Sequence, residues 1–193
     1  MKQKWFFALV SILFLACGHA PQTHYFTLQM PDREIDNSAR AGILYIQHFT
    51  AEAPLVQDRL VYKTSPFEFK FDHYRRWIVP PAELLTSKAV DYFRASGPFA
   101  IVTLAPPRNE DALILNARVR RFDEVLSGGE RTVVIDLWIE IMNYRDRQML
   151  WTGTLRNERP VQGSGIGAIL SAMSEGTCVI FDELKSILSS AAL

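Results

Sequence analysis

The stretch "TVVIDLWIEIM" (residues 132–142) gives the clearest indication of the fold, because aliphatic side chains alternate with a set of mostly polar ones. Successive side chains of a β-strand point to opposite faces, so a period of two separates one face from the other. The polar residues Thr132, Asp136 and Glu140 share one face, together with Trp138. The other face is purely aliphatic and consists of Val133, Ile135, Leu137, Ile139 and Ile141. This alternation predicts a strand in a sheet with one covered face.

The segments on both sides of this strand continue the sheet. Residues 112–161 predict a three-stranded antiparallel meander whose first turn contains Gly128-Gly129, a pair that supplies the positive φ angles of a tight hairpin. The second turn is "NYRDRQ" (143–148). In the first half of the chain, shorter β-like runs occupy residues 24–31, 43–49, 59–71 and 99–104, and the third of these predicts a hairpin around "TSP".

Two segments change to helical spacing. A helix is predicted to begin at Pro81, which suits a first helical turn, and to stop near Gly97. The final segment, 165–188, repeats apolar residues every three to four positions, and Gly176 within it predicts a kink or close packing. The sequence therefore predicts an α/β (α+β) fold. Its elements are a curved, largely antiparallel sheet and two main helices packed on one face, in a single domain.

The chain begins with the pattern of a secretory signal. Lys2 and Lys4 precede an apolar run that is too short to span a membrane, and "LACG" then resembles a bacterial lipobox in which Cys17 carries lipid. Phe14 stands where the lipobox usually has Leu, and an ordinary signal cleaved near Ala20 is the alternative. The predicted organisation is a signal peptide over 1–16, a tether over 17–23 and the domain over 24–193. With cleavage before Cys17 or near Ala20, the mature chain is expected to lie outside the cytoplasm.

No motif of the sequence points to catalysis, and we predict a protein that is not an enzyme. The four histidines lack the spacing of a metal pair, and "QGSGIGA" (162–168) lacks the Lys-Ser/Thr ending of a phosphate loop. Asp136 and Glu140 are expected to form ion pairs with Arg118 and Arg120 of the neighbouring strand. Cys178 lies in an apolar helical pattern and is predicted to be buried, without a disulfide. We therefore predict no metal and no cofactor.

Charge and aromatic residues point to recognition of a protein partner. With 21 basic and 21 acidic residues interspersed, the chain gives no electrostatic reason to bind nucleic acid. Trp138 lies on the polar face of its strand. A Trp at this position predicts a contact with a partner or with another copy of the chain. The alternative is that a loop shields it. Tyr62, Phe67 and Tyr74 lie in or after the aromatic hairpin. They are predicted as partner-binding residues, with packing as the alternative for Tyr62 and Phe67.

The sequence resembles the ABC-type transport auxiliary lipoprotein family, which includes PqiC-like proteins. The resemblance lies in "HYFTLQMP" (24–31), followed by "RLVYKTSPFEFKFDHYRRWIVPPAELL" (59–85). The combination that carries the resemblance is an aromatic hairpin, followed by a Trp and then by a pair of prolines that begins a helix. The residues of the family motif are Tyr25, Leu28, Trp77, Pro80 and Pro81. Burial of Trp77 is expected to hold the start of the helix.

The resemblance implies a non-catalytic accessory subunit of an Mce-type ABC system that moves phospholipid or other hydrophobic cargo across the envelope. It implies docking to a periplasmic MCE-domain protein, which works with an ABC permease and ATPase, and a possible homo-oligomer. Gly18 replaces the Asp that typically favours inner-membrane retention, so the predicted location is the periplasmic face of the outer membrane, anchored by Cys17. The alternatives are a stand-alone structural lipoprotein of the outer membrane and a periplasmic hydrolase, for which the sequence shows no nucleophile-and-base cluster.

Overall fold

One sheet with two helices forms a single domain, as the sequence predicts, and among the described residues the sheet is mixed and has nine strands. The computed structural model describes residues 21–31, 41–108 and 111–191, so the signal 1–16 and the Cys17 site lie outside the described residues. The strands are β1 (His24–Phe26), β2 (Ile43–Ile46), β3 (Thr50–Ala51), β4 (Arg59–Ser65), β5 (Glu68–Trp77), β6 (Ile101–Thr103), β7 (Ala112–Ser127), β8 (Glu130–Asn143) and β9 (Met149–Pro160).

Strand β7 is the centre of the topology. One of its edges pairs with β8 in a long antiparallel ladder, and β8 pairs with β9 in the same way. The other edge of β7 receives β2, β3 and β4 in succession, each in parallel. The hairpin β4–β5 is antiparallel, whereas β1 joins β5 and β6 joins β2 in parallel. The long ladders are thus antiparallel, as predicted, and the short strands make the sheet mixed.

The meander forms because its turns have the backbone that its residues favour. Gly128 and Gly129 both have positive φ, at 60° and 87°, and connect β7 to β8 as predicted. The hairpin β4–β5 and the strand near residues 101–103 also lie where the sequence predicts them. Strand β3 and the 3₁₀ turn Ala53–Leu55 were not predicted, because two or three residues are too short to show a period.

The two helices cover one face of the sheet. Helix α1 (Pro81–Ser96) begins at the predicted proline and ends where the Gly97 N–H donates to the Phe93 carbonyl, 2.9 Å away. Helix α2 (Gly165–Ala191) packs on β8 and β9. Beneath the helices, the five aliphatic side chains of β8 named above are fully buried, which confirms the predicted covered face. Tyr92, Phe93 and Phe181 join α1 to α2 through edge-on and tilted ring contacts.

Helix α2 lies close to the sheet at Gly176. A Cβ atom built on Gly176 would lie 3.0 Å from the Oδ1 of Asn157 on β9 and 3.0 Å from the Cδ1 of Ile135 on β8. Both distances are shorter than ordinary van der Waals separations, so the missing side chain lets the helix backbone approach the sheet. The close packing that Gly176 predicts is therefore confirmed, and it fixes α2 over the boundary of β8 and β9.

Helix α2 is also long and apolar enough to cross a membrane by length and composition. Half of its apolar stretch is buried inside the domain, however, against the core side chains of the sheet. Ile180, Phe181 and Leu184 of this helix are at most 1% exposed. The apolar composition of α2 is accounted for by its place in the core. Cys178 is buried on the same helix, as predicted, with its Sγ 3.9 Å from the Sδ of Met30.

Candidate functional site

Trp138 of β8 lies on the open face of the sheet, the face opposite the helices. Its neighbours along the strand, Leu137 and Ile139, point into the core, so alternation directs the indole away from it. Trp138 is 38% exposed and lies in register with Arg118 of β7 and Thr154 of β9. A shallow groove of about 550 Å³ runs beside it and is lined by Thr50, Glu52, Asn116, Arg118, Arg120 and Glu140. We call this surface the Trp138 groove.

A buried carboxylate organises the arginines near the groove. Asp136 is only 3% exposed and lies between two guanidinium groups, with 3.6 Å from its Oδ1 to the Nε of Arg120 and 3.3 Å from its Oδ2 to the Nη1 of Arg156. The predicted ion pair of Asp136 with Arg120 is thus confirmed. Glu140 instead accepts a hydrogen bond of 3.0 Å from the Nδ2 of Asn116, while Arg118 is exposed.

Arg156 was not among the sequence candidates, although it completes this cluster. It donates to Glu158 two positions along β9 as well as to Asp136. The hydrogen bond to Glu158, above all, and the one to Asp136 raise the pKa of Arg156 above its ordinary value, although partial burial opposes the rise. The alternation of Thr152, Thr154, Arg156 and Glu158 along β9 is the sequence signal that could have identified it.

This arrangement is suited to recognition. Exposed Trp and Arg side chains are enriched at protein interfaces, because the indole offers apolar area and the guanidinium offers a planar set of donors. The ion pairs with Asp136 hold Arg120 and Arg156 in place, which lowers the entropy lost when a partner binds. In the part of the chain that the structure describes, no three His, Cys, Asp or Glu side chains are grouped to hold a metal ion.

The other predicted partner-binding residues lie elsewhere. Phe67 is 95% exposed at the tip of the β4–β5 hairpin, and Phe69 next to it lies under the Nζ of Lys63, 4.3 Å from the ring centre. Tyr62 is half-buried on the helix side of the sheet, beside Ile169 of α2. Tyr62 and Trp138 are therefore on opposite faces, and the four aromatic candidates do not form one site.

Tyr74 is 46% exposed on a bulge of β5. The β4–β5 register shifts there, and Asp72 holds the bulge by accepting hydrogen bonds from the N–H groups of Tyr74 and Arg75, at 2.9 and 2.8 Å. Burial alone would raise the pKa of the Asp72 carboxyl, but the hydrogen bond from the Arg75 guanidinium and those two backbone bonds outweigh it. The pKa of Asp72 is therefore lowered from its ordinary value.

The residues of the predicted family motif divide between core and surface. Trp77 is fully buried, with its ring centre 5.2 Å from that of Phe122, and Leu28 is 1% exposed. Pro80 caps α1, and Pro81 is buried in the first turn of that helix. Tyr25, in contrast, is 62% exposed on β1. Four members of the motif thus hold the hairpin and α1 on the core, while Tyr25 faces solvent.

A match to a protein family model shows which proteins this chain is related to. The model of the "ABC-type transport auxiliary lipoprotein component" family matches residues 26–184, which is most of the chain and nearly all of the domain. The chain belongs to this family. An ABC transport auxiliary lipoprotein is an accessory component, and membership in the family indicates a lipoprotein anchored to a membrane of the cell envelope. No curated protein sequence matches the chain.

Solved structures share the fold of this ABC transport auxiliary lipoprotein. Protein XCC0632 from Xanthomonas campestris, of the family DUF330, aligns over 86% of this chain and 96% of its own, with a TM-score of 0.73 at 19% identity. An uncharacterized protein aligns over 86% and 99% of the two chains, with a TM-score of 0.69 at 17% identity. The hypothetical protein CT253 from Chlamydia trachomatis aligns over 79% and 98%, with a TM-score of 0.52 at 9% identity. At these identities the likeness concerns the fold alone.

Proposed function

We propose that this protein is the lipid-anchored docking subunit of an Mce-type ABC transport system. In this proposal the domain lies on the periplasmic face of the outer membrane and binds a periplasmic MCE-domain protein, whose permease and ATPase partners supply the energy. The cargo is phospholipid or another hydrophobic molecule. The proposal narrows the family assignment, which covers ABC-type transport auxiliary lipoproteins over residues 26–184.

The observation that carries the docking role is the Trp138 groove. The helices bury one face of the sheet, and the opposite face keeps an indole 38% exposed beside Arg118 and Arg120. An exposed Trp next to Arg120, which Asp136 holds in place, favours a protein partner over a small substrate, because a shallow groove encloses little of a small ligand. Phe67 and Tyr74 form separate exposed points for further contacts.

Cys17 provides the attachment in this proposal, as the residue at which the signal would be cleaved and the lipid added. Each CH₂ group of a buried acyl chain contributes about 0.8 kcal/mol, and more than one chain makes anchoring stable. The short polar segment over 17–23 then keeps the domain close to the bilayer. The docking face would consequently operate within a short distance of the membrane surface.

Two measurements on the full chain test the proposal. The first is fractionation of cells that carry the wild type or Cys17→Ser, and we expect the wild type in membranes and the variant in the soluble periplasmic fraction. A variant that remains membrane-bound would contradict anchoring at Cys17. The second is affinity capture from detergent-solubilised envelopes, followed by mass spectrometry, in which an MCE-domain protein should be recovered with the wild type.

The outcome of the capture separates this function from its main alternative. A wild-type chain that is membrane-bound but recovers no MCE-domain protein, permease or ATPase would favour a stand-alone structural lipoprotein. Capture is compared between Trp138→Ala, in the groove, and Val179→Ala, on α2. The two side chains have similar exposure, 38% and 41%, but lie on different surfaces. We expect loss of the MCE-domain protein with Trp138→Ala only, and equal recovery with both variants would contradict docking at the groove.

A further inference from the structure

Strand β9 is a long edge of the sheet. It has twelve residues, Met149–Pro160, and among the described residues its only strand partner is β8. An edge strand presents a row of backbone N–H and C=O groups that can pair with another chain. Helix α2 packs against the covered face of β9, and the side chains on its open face are exposed.

The ladder shows which backbone groups of β9 point outward. Val161 lies opposite Arg131 in the continued register, and its N–H donates to the Arg131 carbonyl at 2.9 Å. In an antiparallel pair, hydrogen-bonded positions alternate with positions whose N–H and C=O point away. The odd-numbered residues 151–161 therefore bond to β8, and the even-numbered residues 152–160 direct their backbone groups to the open edge, where Pro160 offers only its C=O. Their side chains are all exposed.

We propose that β9 pairs with β9 of a second copy of this chain, antiparallel, about a two-fold axis at Asn157. In that register Arg156 lies opposite Glu158 of the second copy, and the symmetry repeats the pair. Directly opposite charges of unlike sign stabilise a sheet. Both residues are even-numbered, so their outward backbone groups form the hydrogen-bonded pair between the two copies.

The charges select this register over its neighbours. An axis at Arg156 would place two guanidinium groups opposite each other, and an axis at Glu158 would do the same with two carboxylates; both arrangements are destabilising. The axis at Asn157 also brings two amide side chains together. The Oδ1 of Asn157 lies under α2 at Gly176, so the choice of register rests on the charges and not on a bond between these amides.

The pairing has a geometric consequence for the open face. Strands that pair edge to edge continue one sheet, and the two-fold axis then stands perpendicular to it. The Trp138 grooves of the two copies therefore face the same side. A partner that carries two binding segments could contact both grooves at once, which raises its effective affinity without any new contact type. The pairing itself does not depend on which partner binds there.

Cysteine crosslinking of the full chain in isolated envelopes tests the pairing. Opposed residues at a non-hydrogen-bonded position have Cα atoms about 4.5 Å apart, within the range of about 4.4–6.8 Å that a disulfide bridges. Asn157→Cys should therefore give an oxidant-dependent dimer on a non-reducing gel. Arg159→Cys is the matched control on the same face. In the proposed register residue 159 lies several residues along the strand from residue 159 of the second copy, so this variant should not form the dimer. The wild type controls for Cys17 and Cys178.

A mixed experiment tests the register. Co-expressed Leu155→Cys and Arg159→Cys chains should crosslink to each other, since these positions are opposed about Asn157, while neither should crosslink alone. Adding Glu158→Pro to Asn157→Cys removes an outward N–H without disturbing the bonds to β8, and we expect loss of the dimer band. The proposal is overturned if Asn157→Cys gives no dimer, if Arg159→Cys alone crosslinks as well, if Glu158→Pro leaves the band unchanged, or if the adduct contains another protein.

Discussion

The two faces of strand β8 have different roles, although their residues alternate along the same eleven positions, 132–142. On the covered face, Ile135, Leu137 and Ile139 are completely buried beneath the helices. On the open face, Asp136 is buried between two arginines, and Trp138 next to it is 38% exposed. Most of the apolar core therefore lies on one side of the sheet, which leaves the other side available for recognition.

The physical basis of the difference is packing. The covered face joins closely fitted apolar surfaces, and small changes in volume are felt there because interiors are packed like organic crystals. The open face is held by ion pairs of partly exposed arginines, which contribute little each in solvent. Substitutions on the covered face should therefore reduce the free energy of unfolding, and substitutions of exposed side chains on the open face, such as Trp138, should act mainly on binding.

The largest expected effect is a contrast between two tryptophans. Trp77→Ala removes a fully buried side chain that packs on Phe122, and we expect the free energy of unfolding to fall by about 3–5 kcal/mol. Trp138→Ala on the open face should lower it by about 1 kcal/mol or less. Urea titrations of the purified variants, followed by circular dichroism, provide the measurement. Equal losses of stability for the two variants would show that the open face contributes as much to the free energy of unfolding as the covered face.

A smaller effect is expected at the contact between α2 and the sheet. Gly176→Leu places a side chain where a Cβ already lies 3.0 Å from Ile135 and Asn157, so the free energy of unfolding should fall by about 1–3 kcal/mol. Gly167→Leu is the control, since a Cβ at Gly167, in the first turns of the same helix, has nothing within 4 Å. It should be neutral or stabilising by up to about 1 kcal/mol. If Gly167→Leu also destabilises the protein, the loss caused by Gly176→Leu would be attributed to leucine within the helix and not to the contact with the sheet.

The smallest effect is pH-dependent and lies outside the apolar core, at the bulge of β5. The pKa of Asp72 is lowered in the folded protein, so its contribution to stability is present above the ordinary value of about 3.9 and is lost as the pH falls through the lowered value. Asp72→Asn should reduce the free energy of unfolding by up to about 1 kcal/mol at neutral pH.

The pH series supplies the test of this prediction. The difference between wild type and Asp72→Asn should be constant above about pH 5 and shrink as the carboxyl is protonated. Asn retains a side-chain oxygen that can accept the backbone N–H groups of Tyr74 and Arg75, so the variant removes mainly the pairing with the Arg75 guanidinium. A difference that stays unchanged down to pH 2 would show that this pairing is not its source.

Local patterns in the sequence were enough to predict the covered face. The period-two residues of β8, the glycine pair at 128–129 and the proline at the start of α1 each act through their immediate neighbours, and all three predictions are confirmed. Close packing at Gly176 was predicted as well. The parallel pairings of β2, β3 and β4 along one edge of β7 were not, because strands this short leave their partners to tertiary packing.

The open face could be predicted only in part. Trp138 and the Asp136–Arg120 pair were accessible from alternation along adjacent strands. Alternation along β9 could have assigned Arg156 to the open face, but its pairing with Asp136 depends on the register between β8 and β9. Tyr62 was grouped with Trp138 as a partner-binding residue, but only the three-dimensional arrangement shows that the two lie on opposite sides of the sheet.

The most direct test of docking at the open face is photo-crosslinking from position 138 in living cells. A photoreactive phenylalanine analogue replaces Trp138 in one full-length variant and Val179 of α2 in a second, because these side chains have similar exposure on different surfaces. We expect an adduct with an MCE-domain protein from position 138 and none from position 179. The absence of that adduct at position 138, or equal adducts from both positions, would contradict it.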